Sequence, residues 1–315
     1  MTQTSVLYDV PGPKARARNA VLGVATIAVV LVLLGFLVYR LFATGQFEAS
    51  KWEIFGYQGI WQRILSGLGS TLAAFAFAAI GALVLGFVLA IARLSDHAAI
   101  RVPAAIVTEL LRAVPVLVFM LLLYYALPVI DIRFSPFQAV VIALVAYNGS
   151  VLAEVIRAGI ESLPSGQKEA GYAIGLGKAG VMRLILMPQA IRAMLPVIIA
   201  QLVVALKDTA LGFIITYQEL LYVARQLGTA ATYDRPIIPA TIVIGAVYIA
   251  LCLLLSWLAI VAERRLGKGP RAGGRAPKAN AAGETTTTKL IAIQSNADLA
   301  SGTDRSGGTQ EPGGR

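Results

Sequence analysis

Six long apolar segments constrain the fold of this 315-residue chain more than any other feature. A helix needs about 20 consecutive apolar residues to cross the ~30 Å hydrocarbon layer of a bilayer. Segments of about this length, with little unpaired charge, run over 20–42, 71–91, 113–130, 137–155, 196–217 and 237–261. Only 14% of the residues are charged, against about a quarter in soluble domains. The sequence therefore predicts an all-α, polytopic membrane protein with about six transmembrane helices.

The distribution of basic residues predicts the orientation of the chain in the membrane. The formal net charge of +10 does not indicate nucleic-acid binding, because the basic residues lie beside the ends of apolar segments without interleaved aromatic residues. With a cytoplasmic N-terminus, most of them fall on the inner side, as the positive-inside rule requires. We therefore expect a multi-pass protein of the cell membrane with both termini in the cytoplasm.

The two ends of the chain differ from its apolar centre. We expect residues 1–19 to form a short cytoplasmic N-terminal lead with little fixed structure. We expect residues 20–42 to form an extra N-terminal transmembrane helix. A cleaved signal peptide is the competing interpretation of this helix, but its apolar run exceeds a signal h-region and no A-x-A site follows it. Residues 267–315 are rich in Gly, Ala, Thr and Pro, which predicts a disordered cytoplasmic tail.

The connection over residues 156–195 is unusually long for a small membrane protein, and its residues favour helix rather than disorder. Small residues at 170 and 171 allow close approach to a partner, Gly175 lets a helix end and turn, and Pro188 opens a return segment. The sequence predicts a structured cytoplasmic loop. The residues of interest in it are Glu169, Ala170, Gly171, Gly175, Ile185, Met187 and Pro188.

This spacing resembles the EAA signature of permease subunits of ABC importers. The resemblance covers about residues 60–265 and includes the blocks ELLRAVPVLV, YNGSVLAEVIRAGI, GQKEAGYAIG, ILMPQAIRAMLP and ALKDTALG, which look like the polar amino-acid uptake branch of that family. The N-terminal VLYDVPGPKARAR and the extra span are similar to glutamate permeases of high-GC Gram-positive bacteria. Gly171 replaces the second alanine of the signature and Met187 replaces the leucine of its closing Leu-Pro, so a small and an apolar group are kept.

The resemblance implies a type I ABC importer (MetI-like) permease fold over 60–265, with 156–195 as the loop that docks on an ATPase. In the resembled family the counterpart of Glu169 meets a basic residue of the ATPase. The implied partners are ATP-binding-cassette ATPase subunits, which bind ATP and Mg themselves, a second permease subunit and an extracellular solute-binding protein. The implied cargo is a polar amino acid, glutamate above all, while glutamine, aspartate and arginine remain open.

Two nucleotide-binding patterns in the same loop are weak. Residues 175–180 fit G-x-G-x-x-G, but no strand precedes them. A P-loop would require Gly where Tyr172 stands and Ser or Thr where Ala179 stands. We expect this chain to bind no cofactor of its own, so that ATP is held by a separate polypeptide.

Polar residues inside the apolar segments include Asn148, Lys207, Asp208 and Thr209. Counting along the helices from residues 137 and 196 gives a similar depth of roughly 16 Å for Asn148 and Lys207. Charged groups at this depth are costly and call for a functional explanation. We expect the four to form one polar layer that faces the translocation path; the alternative is an internal charge pair with polar contacts that lock helices together.

Two oppositely charged pairs spaced three residues apart, Glu109 with Arg112 and Glu154 with Arg157, lie near inner helix ends. This spacing permits intrahelical ion pairs, which can act as structural anchors or as an inner gate. Outside, residues 218–227 predict a short amphipathic helix that either packs on neighbouring helices or touches a substrate-delivering protein.

The sequence contains no cluster of metal ligands and no catalytic dyad, so we expect a transporter subunit rather than an enzyme. The rival from another class is an ion-coupled secondary transporter, for which inverted repeats would be the sign. No clear internal repeat is visible in the sequence.

Overall fold

The computed structural model describes residues 12–266, and in this range every regular element is helical. Residues 1–11 of the predicted cytoplasmic lead and the whole predicted tail, residues 267–315, lie outside the described residues. The α-helices are α1 (Pro13–Ala43), α2 (Ala49–Trp52), α3 (Gln58–Arg93), α4 (Ala98–Ala113), α5 (Val116–Leu121), α6 (Pro136–Glu161), α7 (Ser165–Ala173), α8 (Lys178–Gly180), α9 (Met187–Asp208), α10 (Leu220–Gly228) and α11 (Ile237–Leu266). Short 3-10 segments are Glu53–Gly56, Leu127–Ile130, Thr209–Ile215 and Ala231–Tyr233, and π-helical segments are Leu122–Ala126 and Val181–Leu186.

The helices confirm the all-α membrane architecture. Five of them are long and apolar enough to cross a bilayer: Pro13–Ala43, Gln58–Arg93, Pro136–Glu161, Lys178–Ile215 and Ile237–Val261. A sixth span results if α4 and the helical segment Val116–Ile130 count as one, although they meet at a bend of 94°. Pro115 lies at this bend and directly precedes α5. Its ring disfavours helical backbone at Val114, the residue before it, so α4 ends at Ala113.

Helix α1 is longer than the predicted extra span and begins at Pro13. Residues 13–19 are therefore helical rather than part of an unstructured lead. Proline suits the first turn of a helix, where its missing N–H would have no partner. No residue of α1 is buried against the described chain, so this apolar helix is left for lipid or another subunit to cover.

The core of the fold is the close packing of α3 on α6. Gly86 lies where the two backbones meet: a Cβ atom there would be 2.8 Å from Leu152 Cβ and 2.9 Å from the carbonyl oxygen of Gly149. Gly81 likewise faces Val145 without space for a methyl group. Small residues let helices approach closely where lipid offers no hydrophobic driving force between them. Helices α4, α5 and α9 pack against this pair.

The connection predicted over 156–195 is shorter than expected. Helix α6 continues to Glu161, and an unbroken helical run begins at Lys178 and reaches Ile215. This run of 38 residues is about 57 Å long at 1.5 Å per residue, so it exceeds the hydrocarbon layer and can project from it. Pro196 lies inside α9 and does not begin it. Residue 196 is therefore not the start of this helix, and the depth of Lys207 counted from residue 196 no longer holds.

Candidate functional site

The segment after α6 forms a short exposed helix, α7. Glu169 and Ala170 are exposed on it, and the helix ends in a Schellman motif. The Leu176 N–H donates to the Gly171 carbonyl (3.2 Å) and the Gly175 N–H donates to the Tyr172 carbonyl (3.0 Å). Gly175 has φ +82°, a conformation that side chains disfavour. The expectation that Gly175 lets the helix end and turn is confirmed.

Gly171 has a different role from the expected one. It is buried, and a Cβ atom there would lie 2.8 Å from Val181 Cγ2 and 2.9 Å from Ile185 Cδ1. The missing side chain thus lets α7 pack on the π-helical segment of its own chain instead of on a partner. Ala170, by contrast, stays exposed. Gly171 therefore lets α7 pack against the return helix, while its neighbours Ala170 and Tyr172 stay exposed.

The return segment joins α7 to the membrane helices. Ile185 is half-buried under Gly171, Met187 is buried, and Pro188 is exposed in the first turn of α9. The helical run that begins at Lys178, just after the turn that ends α7, continues without a break to Ile215 and is long enough to span a membrane.

A second contact ties this segment to the turn between α3 and α4. Lys178 Nζ donates to the Leu94 carbonyl oxygen (3.2 Å) and forms an ion pair with Asp96. The hydrogen bond from Lys178 lowers the pKa of Asp96. A cleft of about 370 Å³ opens between this turn, the end of α6 and α7. This contact of Lys178 was not predicted from the sequence, because a lysine in a loop is usually solvated.

The two predicted intrahelical ion pairs are present in the structure. Arg112 Nη1 lies 3.5 Å from Glu109 Oε1, and Arg157 Nε donates to Glu154 Oε2 (3.2 Å). Arg93, which the sequence reasoning missed, joins the two pairs. Its Nη1 lies 3.0 Å from Glu154 Oε2 and 3.5 Å from Glu109 Oε1, an ionic contact outside hydrogen-bond geometry. The ends of α3, α4 and α6 are therefore held by one charge network.

The four polar residues expected in one layer divide into two groups. Asn148 is buried, donates to the Leu144 carbonyl (2.9 Å) and accepts from Gln201 Nε2 (2.8 Å). Thr209 is buried and donates to the Leu206 carbonyl (2.7 Å). Both side chains thus serve internal contacts. Gln201, an amide in the apolar centre of α9, could have indicated from the sequence that Asn148 has a partner on a neighbouring helix.

The side chains of Lys207 and Asp208 reach the surface of the subunit. Lys207 is exposed and Asp208 is half-buried, and neither forms an ion pair within the described part of the chain. The alternative of an internal charge pair between helices is therefore not observed here. Gln201 lies seven residues before Asp208, so both fall on one face of α9.

A buried carboxylate organises the opposite end of the molecule. Glu219 is 0% exposed and caps α10 by accepting from the backbone N–H groups of Leu221 and Tyr222, each at 2.7 Å. It also accepts from the Tyr248 hydroxyl (2.6 Å). Burial raises the pKa of Glu219. The predicted amphipathic helix is confirmed as α10, whose apolar residues Leu220, Val223, Ala224 and Leu227 are buried.

No group of three or more potential metal-ligating residues occurs within residues 12–266. The sites that the described residues offer are an exposed helix, α7, a charge network at the ends of α3, α4 and α6, and the two charged residues Lys207 and Asp208 at the end of α9.

Comparison with known proteins agrees with this geometry. Residues 82–268 match the family described as "binding-protein-dependent transport system inner membrane component". The glutamate transport system permease protein GluD of Corynebacterium glutamicum is 42% identical over 229 residues, 71% of this chain and 83% of that protein. The arginine permease ArtQ of Bacillus subtilis is 32% identical over 64% of this chain and 92% of its own length. The glutamine permease GlnP of Escherichia coli is 30% identical over 67% and 98%.

Solved structures give the same fold. The crystal structure of an amino acid ABC transporter with histidines has a chain with 32% identity and a TM-score of 0.59, covering 65% of this chain and 94% of that one. The inward-facing MetNI methionine ABC transporter matches at a TM-score of 0.55 with 16% identity, over 67% of this chain and 99% of that one, which is a likeness of fold alone.

Proposed function

Because the chain belongs to the family of binding-protein-dependent transport system inner membrane components, we propose that it is the permease subunit of an ATP-driven importer that carries a polar amino acid into the cell. It is a transport subunit rather than an enzyme, and the ATPase is a separate chain. The observation that carries the proposal is the exposed helix α7, which packs through Gly171 on a helical run that enters the membrane.

In this proposal α7 is the surface that docks on the ATPase. Glu169 offers an exposed carboxylate for a basic residue of the partner, beside the exposed side chains of Tyr172 and Ile174, the latter 75% exposed. Exposed apolar side chains next to a charge are typical of a contact surface. Motion of the ATPase, which binds ATP and Mg, displaces α7, and the tight contact at Gly171 passes the displacement to Val181 and α9.

The experiment for this docking role is the charge reversal Glu169→Lys in the assembled importer. We expect amino-acid uptake per ATP hydrolysed to fall, since the new lysine would repel the basic partner. Gly166→Ala is the matched control, because position 166 lies on the same helix with open space around it. Unchanged uptake in the Glu169→Lys complex would remove the role.

A second permease subunit completes the membrane part of the proposal. Lys207 is exposed on a membrane helix, where a charge against lipid costs at least ~2.5 kcal/mol. We therefore assign Gln201, Lys207 and Asp208 to the translocation path between two permease subunits. In this assignment Asn148 and Thr209 support α9 from inside the subunit. If Lys207→Met and Asp208→Asn complexes assemble and transport normally, this assignment is wrong.

Glutamate is the cargo that we propose, because the glutamate permease relative is 42% identical while the arginine and glutamine relatives are 32% and 30% identical. The importer lies in the cell membrane, delivers cargo from an extracellular solute-binding protein, and has both termini in the cytoplasm. Uptake of labelled glutamate in competition with glutamine, aspartate and arginine tests the cargo. Stronger competition by any of these than by unlabelled glutamate would reassign it.

A further inference from the structure

Two adjoining clefts lie between the first turns of α3 and helix α10. They measure about 200 Å³ and 180 Å³, and both are lined by Arg63 of α3 and Gln226 of α10. The first cleft extends to Tyr57 and Tyr233, and the second extends to Gln218 and Tyr222. The two clefts thus form one polar groove centred on a single arginine, which we call the Arg63 groove.

The Arg63 groove carries a positive charge that the chain itself leaves unbalanced. No acidic residue lines either cleft. Arg63 is exposed, and no carboxylate lies within ion-pairing distance of it in residues 12–261. The neighbouring carboxylate of Glu219 is already engaged by two backbone N–H groups and Tyr248.

The remaining polar side chains of the groove can donate hydrogen bonds and have no partners in the described part of the chain. These are the hydroxyl of Ser66, the side-chain amides of Gln218 and Gln226, and the phenolic hydroxyls of Tyr57, Tyr222 and Tyr233. An arginine fork surrounded by neutral donors matches the geometry and charge of a carboxylate, to which it can bind through two parallel hydrogen bonds.

The position of the groove identifies the side of the membrane that it faces. The other end of α3 contacts the segment that follows α7, since Lys178 donates to the Leu94 carbonyl. Thirty residues of helix separate Arg63 from Arg93, which is about 45 Å at 1.5 Å per residue. This distance exceeds the ~30 Å hydrocarbon layer. If α7 is cytoplasmic, as the proposed function requires, the Arg63 groove is on the outer face.

We propose that the Arg63 groove is a carboxylate-binding site on the outer face of the importer, built by Arg63 with Gln218, Tyr222 and Gln226. This inference rests on the proposed function for its orientation. The carboxylate comes either from the acidic amino acid itself or from an acidic side chain of the solute-binding protein that delivers it. Both sources present the same chemistry to the guanidinium.

The experiment uses the assembled importer in nanodiscs without ATP and compares Arg63→Gln, Arg63→Lys and wild type. One arm measures equilibrium binding of radiolabelled L-glutamate without binding protein, and the other measures the affinity of the glutamate-loaded binding protein. Arg225→Gln is the matched control, because it removes the same charge from α10, outside both clefts, where Arg225 lies over the Phe213 ring at 5.9 Å.

We expect Arg63→Gln to weaken binding in one arm by about tenfold, Arg63→Lys to weaken it less, and Arg225→Gln to leave it unchanged. Loss in the first arm identifies the cargo carboxylate, and loss in the second identifies the binding protein. Wild-type affinity of Arg63→Gln in both arms, equal losses for Arg225→Gln, or wild type that binds neither probe would overturn the site. Uptake measured in parallel tests the proposed function separately, since binding in both arms requires no transport.

Discussion

A methyl group added at Gly171 is expected to loosen α7 from the return helix. The new Cβ atom would lie 2.8 Å from Val181 Cγ2 and 2.9 Å from Ile185 Cδ1, closer than side chains normally approach. Overpacking of this kind costs about 1–3 kcal/mol, and the better helix propensity of alanine offsets about 0.5–1 kcal/mol of it. The same substitution at Gly166, on the same helix with nothing within 4 Å, gains the propensity without the clash.

The two variants should therefore differ in the stability of α7 by about 1–3 kcal/mol, which is about 5-fold to 150-fold in its opening equilibrium. Hydrogen exchange of the α7 backbone amides measures this difference directly. We expect faster exchange and less uptake per ATP in Gly171→Ala, and slower exchange with normal uptake in Gly166→Ala. Equal exchange in the two variants would refute the reasoning that Gly171 holds α7 in place.

Two further predictions concern charges that hold helices together. Arg93→Met removes the link between Glu154 on α6 and Glu109 on α4. Thermal unfolding in detergent should show a loss of stability between the ~1 kcal/mol of an exposed ion pair and the ~3 kcal/mol of a buried one. No loss of stability would mean that the two pairs act separately. Burial raises the pKa of Glu219, so folding favours its protonated form, and its contribution to stability is present at low pH and falls as the pH rises through the raised pKa. Glu219→Gln should flatten the dependence of the melting temperature on pH, and a parent-like slope in this variant would contradict the assignment.

The helical architecture was predictable because apolar length is a local property of the sequence. Counting apolar residues was enough to predict that membrane-spanning helices exist, although not where each begins, and the spacing of charges three apart was enough to predict the pairs of Glu109 with Arg112 and Glu154 with Arg157. Gly175 could be assigned from its chemistry, since only a residue that tolerates positive φ closes a Schellman motif easily.

Contacts between distant segments could not be predicted in the same way. Gly171 was expected to face a partner, but the chain folds back so that Val181 and Ile185 occupy that side. Asn148 was grouped with Lys207 by a depth count from residue 196, and it instead bonds Gln201. Both errors arise because position along one helix gives depth but not the direction in which a neighbouring helix lies.

The boundaries of the coupling loop show the same limit. The span was expected to begin at residue 196, yet Pro196 lies inside α9, whose first turn holds Pro188. A proline lacks one hydrogen bond but is tolerated in membrane helices, where neighbouring groups can satisfy the freed carbonyl. In the proposed function this uninterrupted helix carries motion from the contact between Gly171 and Val181 into the membrane.

In the proposed function, work done by a separate ATPase reaches the membrane helices through α7. The most direct measurement is labelled glutamate uptake by proteoliposomes that contain the permease subunits and binding protein, with and without the ATPase subunits and internal ATP. Uptake against a concentration gradient should occur only when ATPase and ATP are both present, and should be lost in Glu169→Lys. Accumulation without the ATPase subunits would contradict the account.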